Sequence, residues 1–246
     1  MRQATMVERF LAEALGTFLL VFLGCGAAAV ASLSNLTPHG SGAASLVLIG
    51  LAFGLALFIA VLIVGRVSGA HVNPAVTLGL AVTGHFAWED VPAYIVGQIV
   101  GAVVGAAAIL IVYGKQAATI GNLGGPKLAP NTNIWQGLII EGIGTGILML
   151  AIIATAIDNR ALPGWAGLTI GLALGVIIMA IGPATGGSVN PARAFGPDFI
   201  DLLMGVKVDW LAWVVAYVIG PILGAIGAAF LYGYVAHYRT PRLTRR

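Results

Sequence analysis

Between Glu13 and Arg66 the chain runs for 52 residues without a single Asp, Glu, Lys or Arg. A second uncharged run, 32 residues long, separates Arg160 from Arg193. An apolar run of about 18 or more residues is typical of a helix that crosses a bilayer. Only 9% of the 246 residues are charged, whereas soluble domains carry about 25%. The pattern indicates a polytopic membrane protein, and it excludes a soluble enzyme, a nucleic-acid binder and a disulfide scaffold.

The uncharged runs are long enough to hold several membrane spans. A bilayer core about 30 Å thick requires a helix of roughly 20 residues, so the longer run must contain two spans, with a break in the loop-like segment 32–45. The same reasoning along the chain predicts six spans, at residues 10–31, 46–65, 91–113, 135–157, 165–182 and 210–235.

An even number of spans places both termini on one side of the membrane. The segments on that side hold eight arginines, four of them in the last eight residues, and the opposite segments hold four Lys or Arg. The positive-inside rule therefore predicts that both termini are cytoplasmic. We expect a multi-pass protein of the cell membrane.

Two further segments, 66–88 and 183–209, are too apolar for loops and too rich in Gly, Ser and Pro for spans. Non-helical backbone at membrane depth is tolerated only where protein or a water-filled cavity satisfies it. Each segment is therefore predicted to re-enter the membrane as an extended stretch followed by a half-helix, with Pro in its first turn.

The two halves of the chain repeat one another. Four motifs of the first half, beginning at Glu13, Ile49, Val72 and Tyr94, recur in the same order in the second half, beginning at Glu141, Ile170, Val189 and Tyr217. The repeats cover residues 10–118 and 135–235 of a single channel domain, 1–246. Because each repeat has three spans, the second half is predicted to be inverted relative to the first, which places the two broken segments face to face near the membrane midplane.

The repeated broken segments contain the motifs Asn73-Pro74-Ala75 and Asn190-Pro191-Ala192, the second followed directly by Arg193. Two such boxes in an inverted repeat, with paired membrane glutamates, resemble the signature of the aquaporin (major intrinsic protein) family over nearly the whole chain. The resemblance implies an all-α membrane fold of six transmembrane helices and two re-entrant half-helices. It also implies a homotetramer with one pore per protomer.

The two boxes explain how a pore could pass water and exclude protons. Each half-helix N-terminus carries roughly half a positive charge, so two of them facing one path oppose cations. Asn73 and Asn190 lie at these termini and can offer amide donors to a passing oxygen. The resemblance assigns pore-lining carbonyl groups to Gly69, Ala70 and His71, and to Gly186, Gly187 and Ser188.

Glu13 and Glu141 have two interpretations. They could form a proton relay, as intramembrane acids often do, or they could accept hydrogen bonds from backbone N–H groups of the re-entrant loops. Their matched positions in the repeat favour the structural role.

The resemblance also implies an outer selectivity filter of four residues, which are Phe53, Ile178, Gly187 and Arg193. Strict water channels usually have His where Ile178 stands, and glycerol facilitators have an aromatic pair and an Asp after the Arg. The set is most similar to archaeal-type water channels. Water is therefore the expected solute, with passage of glycerol or other small neutral solutes.

Three alternatives remain open from the sequence, namely a glycerol facilitator, an ion-coupled secondary transporter and a non-conducting junction protein. The sequence contains no metal-ligand cluster, nucleotide-binding loop or nucleophile–base arrangement. We therefore expect no enzymatic activity, no cofactor, no metal and no nucleic-acid partner. The expected partners are the lipid bilayer, water and small neutral solutes.

Overall fold

The computed structural model describes residues 3–33 and 42–238, and every regular element in these residues is helical. Six helices are long and apolar enough to cross a membrane, which confirms the predicted fold class. The helices are α1 (Met6–Leu33), α2 (Gly42–Ser68), α3 (Pro74–Val82), α4 (Val91–Tyr113), α5 (Lys115–Thr119), α6 (Ile134–Ile157), α7 (Ala166–Thr185), α8 (Pro191–Leu203) and α9 (Trp210–Val235).

Parts of the predicted loop 32–45, and five of the eight arginines used for orientation, lie outside the described residues. Single-turn 3₁₀ helices precede α4 and follow α5, at Trp88–Asp90 and Asn122–Gly124. Wider π-helical turns interrupt the regular winding of α1, α6 and α9.

The half-helices α3 and α8 begin in the same way. Asn73 and Asn190 are their N-caps, each with an extended backbone, and Pro occupies the first helical position. An N-cap Asn accepts a hydrogen bond from an otherwise unpaired N–H of the first turn, and a Pro at this position removes one donor that would have had no partner. The boxes therefore define the starts of both half-helices.

The helices before the two boxes are longer than predicted. α2 continues to Ser68 and α7 to Thr185, three residues beyond the predicted ends, and α7 passes through Pro183. The hydroxyl groups of Ser68 and Thr185 bond to the buried carboxylates of Glu13 and Glu141. Tertiary contacts thus stabilise a last turn that sequence pattern alone assigns to a loop.

Close helix crossings depend on glycine. α1 packs on α4, and α6 packs on α9. A Cβ atom at Gly101 would overlap the carbonyl oxygen of Ala14, and one at Gly224 would overlap that of Gly142. Small residues of this kind allow membrane helices to approach closely.

The close packing of α6 against α9 at Gly224 can be tested by comparing substitutions at Gly224 and at a second glycine of α9. We expect Gly224→Ala to lower the thermal unfolding temperature of the purified protein in detergent micelles, because overpacking a tight contact costs about 1–3 kcal/mol. Gly227 is the matched control, since a Cβ there meets no atom within 4 Å. Gly227→Ala should be neutral or stabilising, because Ala is the better helix former. Equal effects of the two changes would contradict the proposed crossing.

Candidate functional site

The two Asn-Pro-Ala boxes meet, and each is bonded to the other. The Nδ2 group of Asn73 donates to the carbonyl oxygen of Val189 at 2.7 Å, and the Nδ2 group of Asn190 donates to the carbonyl oxygen of Val72 at 2.8 Å. The Oδ1 atoms are used as helix caps, accepting from the backbone N–H groups of Ala75 and of Ala192. An amide NH₂ has two N–H bonds, so each asparagine keeps a second N–H beyond this mutual contact.

The sequence predicts that an extended stretch leads to each box. In the structure, both loops depart from that prediction. The asparagines are extended, whereas Ala70, Val72 and Val189 have φ angles of 52°, 54° and 46°. Such angles are rare for residues other than Gly and cost of order 1–3 kcal/mol each. They persist because the surrounding hydrogen bonds hold successive N–H groups toward a buried carboxylate.

Glu13 is the partner of the first loop. It is fully buried and accepts hydrogen bonds from the N–H groups of His71 at 3.0 Å and Val72 at 2.7 Å. The Ser68 hydroxyl and the Gln98 amide also donate to it, each at 2.6 Å. Its two oxygens therefore receive four donors, two of them from the backbone of the re-entrant loop.

Glu141 holds the second loop in the same way. It is fully buried and accepts from the N–H groups of Ser188 at 2.9 Å and Val189 at 2.6 Å. The Thr185 hydroxyl donates to it at 2.6 Å. Neither glutamate lies in the wall of the central cavity. The contacts made by both residues are those of the structural interpretation.

Two tyrosines complete this arrangement symmetrically. The Tyr94 hydroxyl donates to the carbonyl oxygen of Ser68 at 2.7 Å, and the Tyr217 hydroxyl donates to that of Thr185 at 2.8 Å. Each tyrosine thus caps the last turn of the helix that enters its loop, where carbonyl groups have no intrahelical donor.

A cavity of about 570 Å³ runs along the two boxes. Its polar wall includes Gly69, Ala70, His71 and Ser188 among the residues assigned to pore carbonyls, together with Asn73, Asn190 and Arg193. Hydrocarbon side chains from α1, α2, α3, α6 and α7 form most of the remaining wall, which also contains Arg66 and Thr155. Gly186 and Gly187 lie outside this wall, and Gly186 packs against Pro126. A polar strip facing hydrocarbon suits a file of small neutral molecules.

Arg193 lines the cavity. Its side chain is buried, and Nη2 donates to the carbonyl oxygen of Gly124 at 3.1 Å. The guanidinium carbon lies 4.7 Å from the centre of the Phe53 ring. Nε and Nη1 are buried and have no hydrogen-bond partner among the described residues. Unpaired buried donors are costly, so this group is suited to donate to a molecule in the cavity.

The other two residues of the expected filter, Ile178 and Gly187, are adjacent to each other. A Cβ atom at Gly187 would lie 3.2 Å from the Cα atom of Ile178, and the φ angle of Gly187 is 56°. Both residues are outside the wall of the cavity. Their assignment to the filter stays a prediction.

The His71 side chain is held by hydrogen bonds from residues that the second repeat does not share. Its Nδ1 atom lies 3.1 Å from the Thr77 hydroxyl, to which the Gln98 amide donates at 3.0 Å. Phe86 and Tyr94 pack against the imidazole ring. The ring is therefore held in place where it lines the cavity.

Sequence reasoning missed several of these residues. Ser68 and Thr185 precede their asparagines by five residues, and Tyr94 and Tyr217 begin a recognised repeat motif, so the repeat contained a signal for all four. Thr77, Gln98 and the Gly124 carbonyl group have no counterpart in the repeat pattern. Within residues 3–33 and 42–238, no group of three or more His, Cys, Asp or Glu is arranged to hold a metal ion.

The anchoring contacts of Glu141 yield a testable prediction. Glu141→Gln keeps one acceptor oxygen, whereas Glu141→Ala leaves the Thr185 hydroxyl and two loop N–H groups without it, at about 1–3 kcal/mol for each unpaired group. We expect the alanine variant to unfold at a clearly lower temperature than the glutamine variant in detergent micelles. The same pair of substitutions at the exposed Glu89 serves as the control and should differ little. Equal stability of Glu141→Gln and Glu141→Ala would refute the anchoring role.

Comparisons with known proteins agree with this geometry. The family model described as Major intrinsic protein matches residues 1–232. A probable aquaporin AqpM from Archaeoglobus fulgidus is 46% identical over 243 residues, covering 94% of this chain and 98% of the relative. Aquaporin AqpM from Methanothermobacter thermautotrophicus is 40% identical over 242 residues, with the same coverage.

A solved structure agrees as well. The X-ray structure of the aquaglyceroporin from Plasmodium falciparum superposes with a TM-score of 0.81 at 30% identity, covering 94% of this chain and 97% of that one. The predicted resemblance to the family, and to its archaeal members, is confirmed. The chain belongs to the major intrinsic protein family of aquaporins, multi-pass membrane proteins that are passive channels for water and small solutes and not enzymes.

Proposed function

We propose that water is the main solute of this channel and that glycerol passes more slowly. The observation that carries this proposal is the buried Arg193, which lines the cavity beside the Phe53 ring and whose Nε and Nη1 have no partner in the part of the chain that the structure describes. A fixed cation with two free donors attracts a small dipolar oxygen and repels cations. The aromatic ring restricts the width available to a larger polyol.

The paired half-helices supply the proposed barrier to ions. α3 and α8 begin at Asn73 and Asn190, which are bonded to each other's loops. Both N-termini are therefore close together, and each carries roughly half a positive charge. A water molecule between them accepts from the free N–H groups of the asparagines. Its own hydrogens then point away from this position, which interrupts a chain of proton transfers.

The remaining features of the proposal come from the family resemblance. Ile178 and Gly187 complete the filter with Phe53 and Arg193, and the carbonyl groups of the two loops, including those of Gly186 and Gly187, line the path. The repeats 10–118 and 135–235 form one inverted channel domain. Four copies assemble into a homotetramer in the cell membrane, with both termini in the cytoplasm.

The proposed solute preference is tested by stopped-flow light scattering of proteoliposomes. We expect osmotic water permeability well above that of protein-free vesicles, and glycerol permeability raised by a smaller factor. Glycerol flux as large as water flux would favour a glycerol facilitator. Solute flux that saturates with solute concentration and requires a pH gradient would favour a coupled transporter. Water permeability equal to that of protein-free vesicles would favour a junction protein.

The filter assignment is tested by two substitutions in the same assay. Ile178→His adds a polar ring and narrows the opening, so we expect the ratio of glycerol to water permeability to fall. Arg193→Val removes the fixed charge and widens the opening, so the ratio should rise and small cations should begin to leak. The control is Ile139→His on the exposed surface of α6, which should leave the ratio unchanged. A ratio that does not fall in Ile178→His would remove that residue from the filter.

A further inference from the structure

Two charged residues line the conducting cavity in the part of the chain that the structure describes, and the proposed function uses one of them. They are Arg193 and Arg66, and none of the described residues in the wall is Asp or Glu. Arg66 lies in the last turn of α2. The end of α6 also contributes to the wall, through residues 155–157. Arg66 and residues 155–157 are called the Arg66 mouth below.

The Arg66 mouth and Arg193 lie toward opposite sides of the membrane. α2 and α6 are the second and fourth spans, so they run in the same direction and end on the same side of the bilayer. α4, the third span, runs the other way, and its end is followed by Gly124, whose carbonyl oxygen accepts from Arg193. In the proposed orientation the Arg66 mouth is the cytoplasmic end of the path.

The charge of Arg66 is not neutralised by any described residue. Within residues 3–33 and 42–238 the ion pairs join Arg9 to Asp90 and Arg160 to Asp158. Arg66 makes neither an ion pair nor a hydrogen bond in this part of the chain. Charge of one sign in a cleft with apolar walls changes the local concentration of an ion by about tenfold or more. Arg66 is therefore placed to repel cations from its end of the path.

His71 offers a hydrogen-bond acceptor in the same half of the chain. The Thr77 hydroxyl donates to the carbonyl oxygen of Asn73 at 3.1 Å and accepts from the Gln98 amide at 3.0 Å. Its contact of 3.1 Å with His71 Nδ1 is therefore one in which the imidazole donates. The other ring nitrogen of a neutral imidazole is then an acceptor. This Nε2 atom is accessible and has no partner among the described residues, and His71 lines the cavity.

Thr155 adds a second acceptor to the Arg66 mouth. Its hydroxyl donates to the carbonyl oxygen of Ala151 at 2.7 Å, so the single proton of the hydroxyl is used within α6. The oxygen keeps a lone pair with which it can accept. The wall thus combines the donors of Arg66 with acceptors on His71 and Thr155, and this combination suits a hydroxyl group, which donates and accepts.

We propose that the Arg66 mouth and His71 form a second selectivity element of the channel, which excludes cations and binds the hydroxyl groups of small neutral solutes. Arg66 supplies a fixed positive charge, so that a cation meets one such charge from either side of the membrane. His71 Nε2 accepts a hydrogen bond from a solute hydroxyl. The inference rests on the proposed function, because it requires that solutes pass along this cavity.

The charge of Arg66 is tested where the other fixed charge has been removed. Proteoliposomes containing a sodium-sensitive dye are exposed to a sodium gradient, and the leak through Arg193→Val is compared with that through Arg193→Val/Arg66→Gln. We expect the second variant to leak at least about tenfold faster, because the path has lost both fixed charges. Arg193→Val/Arg66→Lys keeps the charge and should leak as slowly as Arg193→Val. The control Arg193→Val/Lys207→Gln, which removes an exposed charge outside the cavity wall, should do the same.

The salt dependence of the leak separates a charge barrier from damaged packing. Raising the ionic strength from about 0.01 M to about 1 M with a large impermeant salt shortens the Debye length from about 30 Å to about 3 Å. The difference between Arg193→Val and Arg193→Val/Arg66→Gln should therefore shrink. A difference that persists at high salt would overturn the charge barrier. So would a double variant that leaks no faster than Arg193→Val, whether or not Arg193→Val itself leaks.

The acceptor is tested by His71→Leu and His71→Gln in the glycerol and water assays. Glycerol leaves less room than water for a neighbouring water molecule to replace the lost acceptor. We therefore expect His71→Leu to lower glycerol permeability at least about threefold more than water permeability. His71→Gln keeps an acceptor oxygen and should retain most of the wild-type ratio. The control His85→Leu changes a histidine outside the cavity wall and should leave the ratio unchanged.

Each outcome of the acceptor test decides the proposal. An equal loss of glycerol and water permeability in His71→Leu would overturn it, as would a His71→Gln variant that behaves like His71→Leu. If His71→Leu is not recovered as folded protein, His71→Phe takes its place, since it keeps a ring in contact with Phe86 and Tyr94. A wild-type channel that conducts glycerol as fast as water would contradict the proposed function alone, because every comparison above is made between variants.

Discussion

The structure depends on two buried carboxylates that satisfy non-helical backbone inside the membrane. A bilayer core offers no water to an unpaired N–H group, so irregular backbone survives there only with protein or cavity partners. Glu13 and Glu141 provide these partners for the two loops, and each accepts from two successive loop N–H groups. With the N–H groups held toward the carboxylates, the carbonyl groups of Val72 and Val189 accept hydrogen bonds from the asparagine of the opposite half.

The second constraint is that each half of the molecule completes the other. The Asn73 amide bonds to the loop that contains Val189, and the Asn190 amide bonds to the loop that contains Val72. The strained φ angles of these valines are maintained by contacts from both halves. A half-chain would leave these amide and carbonyl groups without their partners. The central site is therefore a property of the paired repeats.

The two halves differ in side chains around the cavity, although both loops are anchored in the same way. The first half carries the polar chain of His71, Thr77 and Gln98, whereas the equivalent positions of the second half are Ser188, Ala194 and Pro221. The second half carries Arg193, where the first has Val76. The glutamates, the tyrosines and the box asparagines are thus duplicated, whereas His71 and Arg193, which line the cavity, are not.

The sequence by itself determined the membrane class, the six spans and the positions of the two boxes, because these follow from charge spacing and from a repeat that is visible in the residues. It also indicated a structural role for Glu13 and Glu141 from their matched positions. It did not reveal the left-handed backbone at Ala70, Val72 and Val189, the Gly124 carbonyl that holds Arg193, or the exchange of hydrogen bonds between Asn73 and Asn190. Those features join residues far apart in the chain, and their conformations are less favourable than the alternatives until both halves are packed together. Only the tertiary structure decided them, because the hydrogen bonds that offset the local strain come from Glu13 and Glu141 on other helices and from the asparagine of the opposite half.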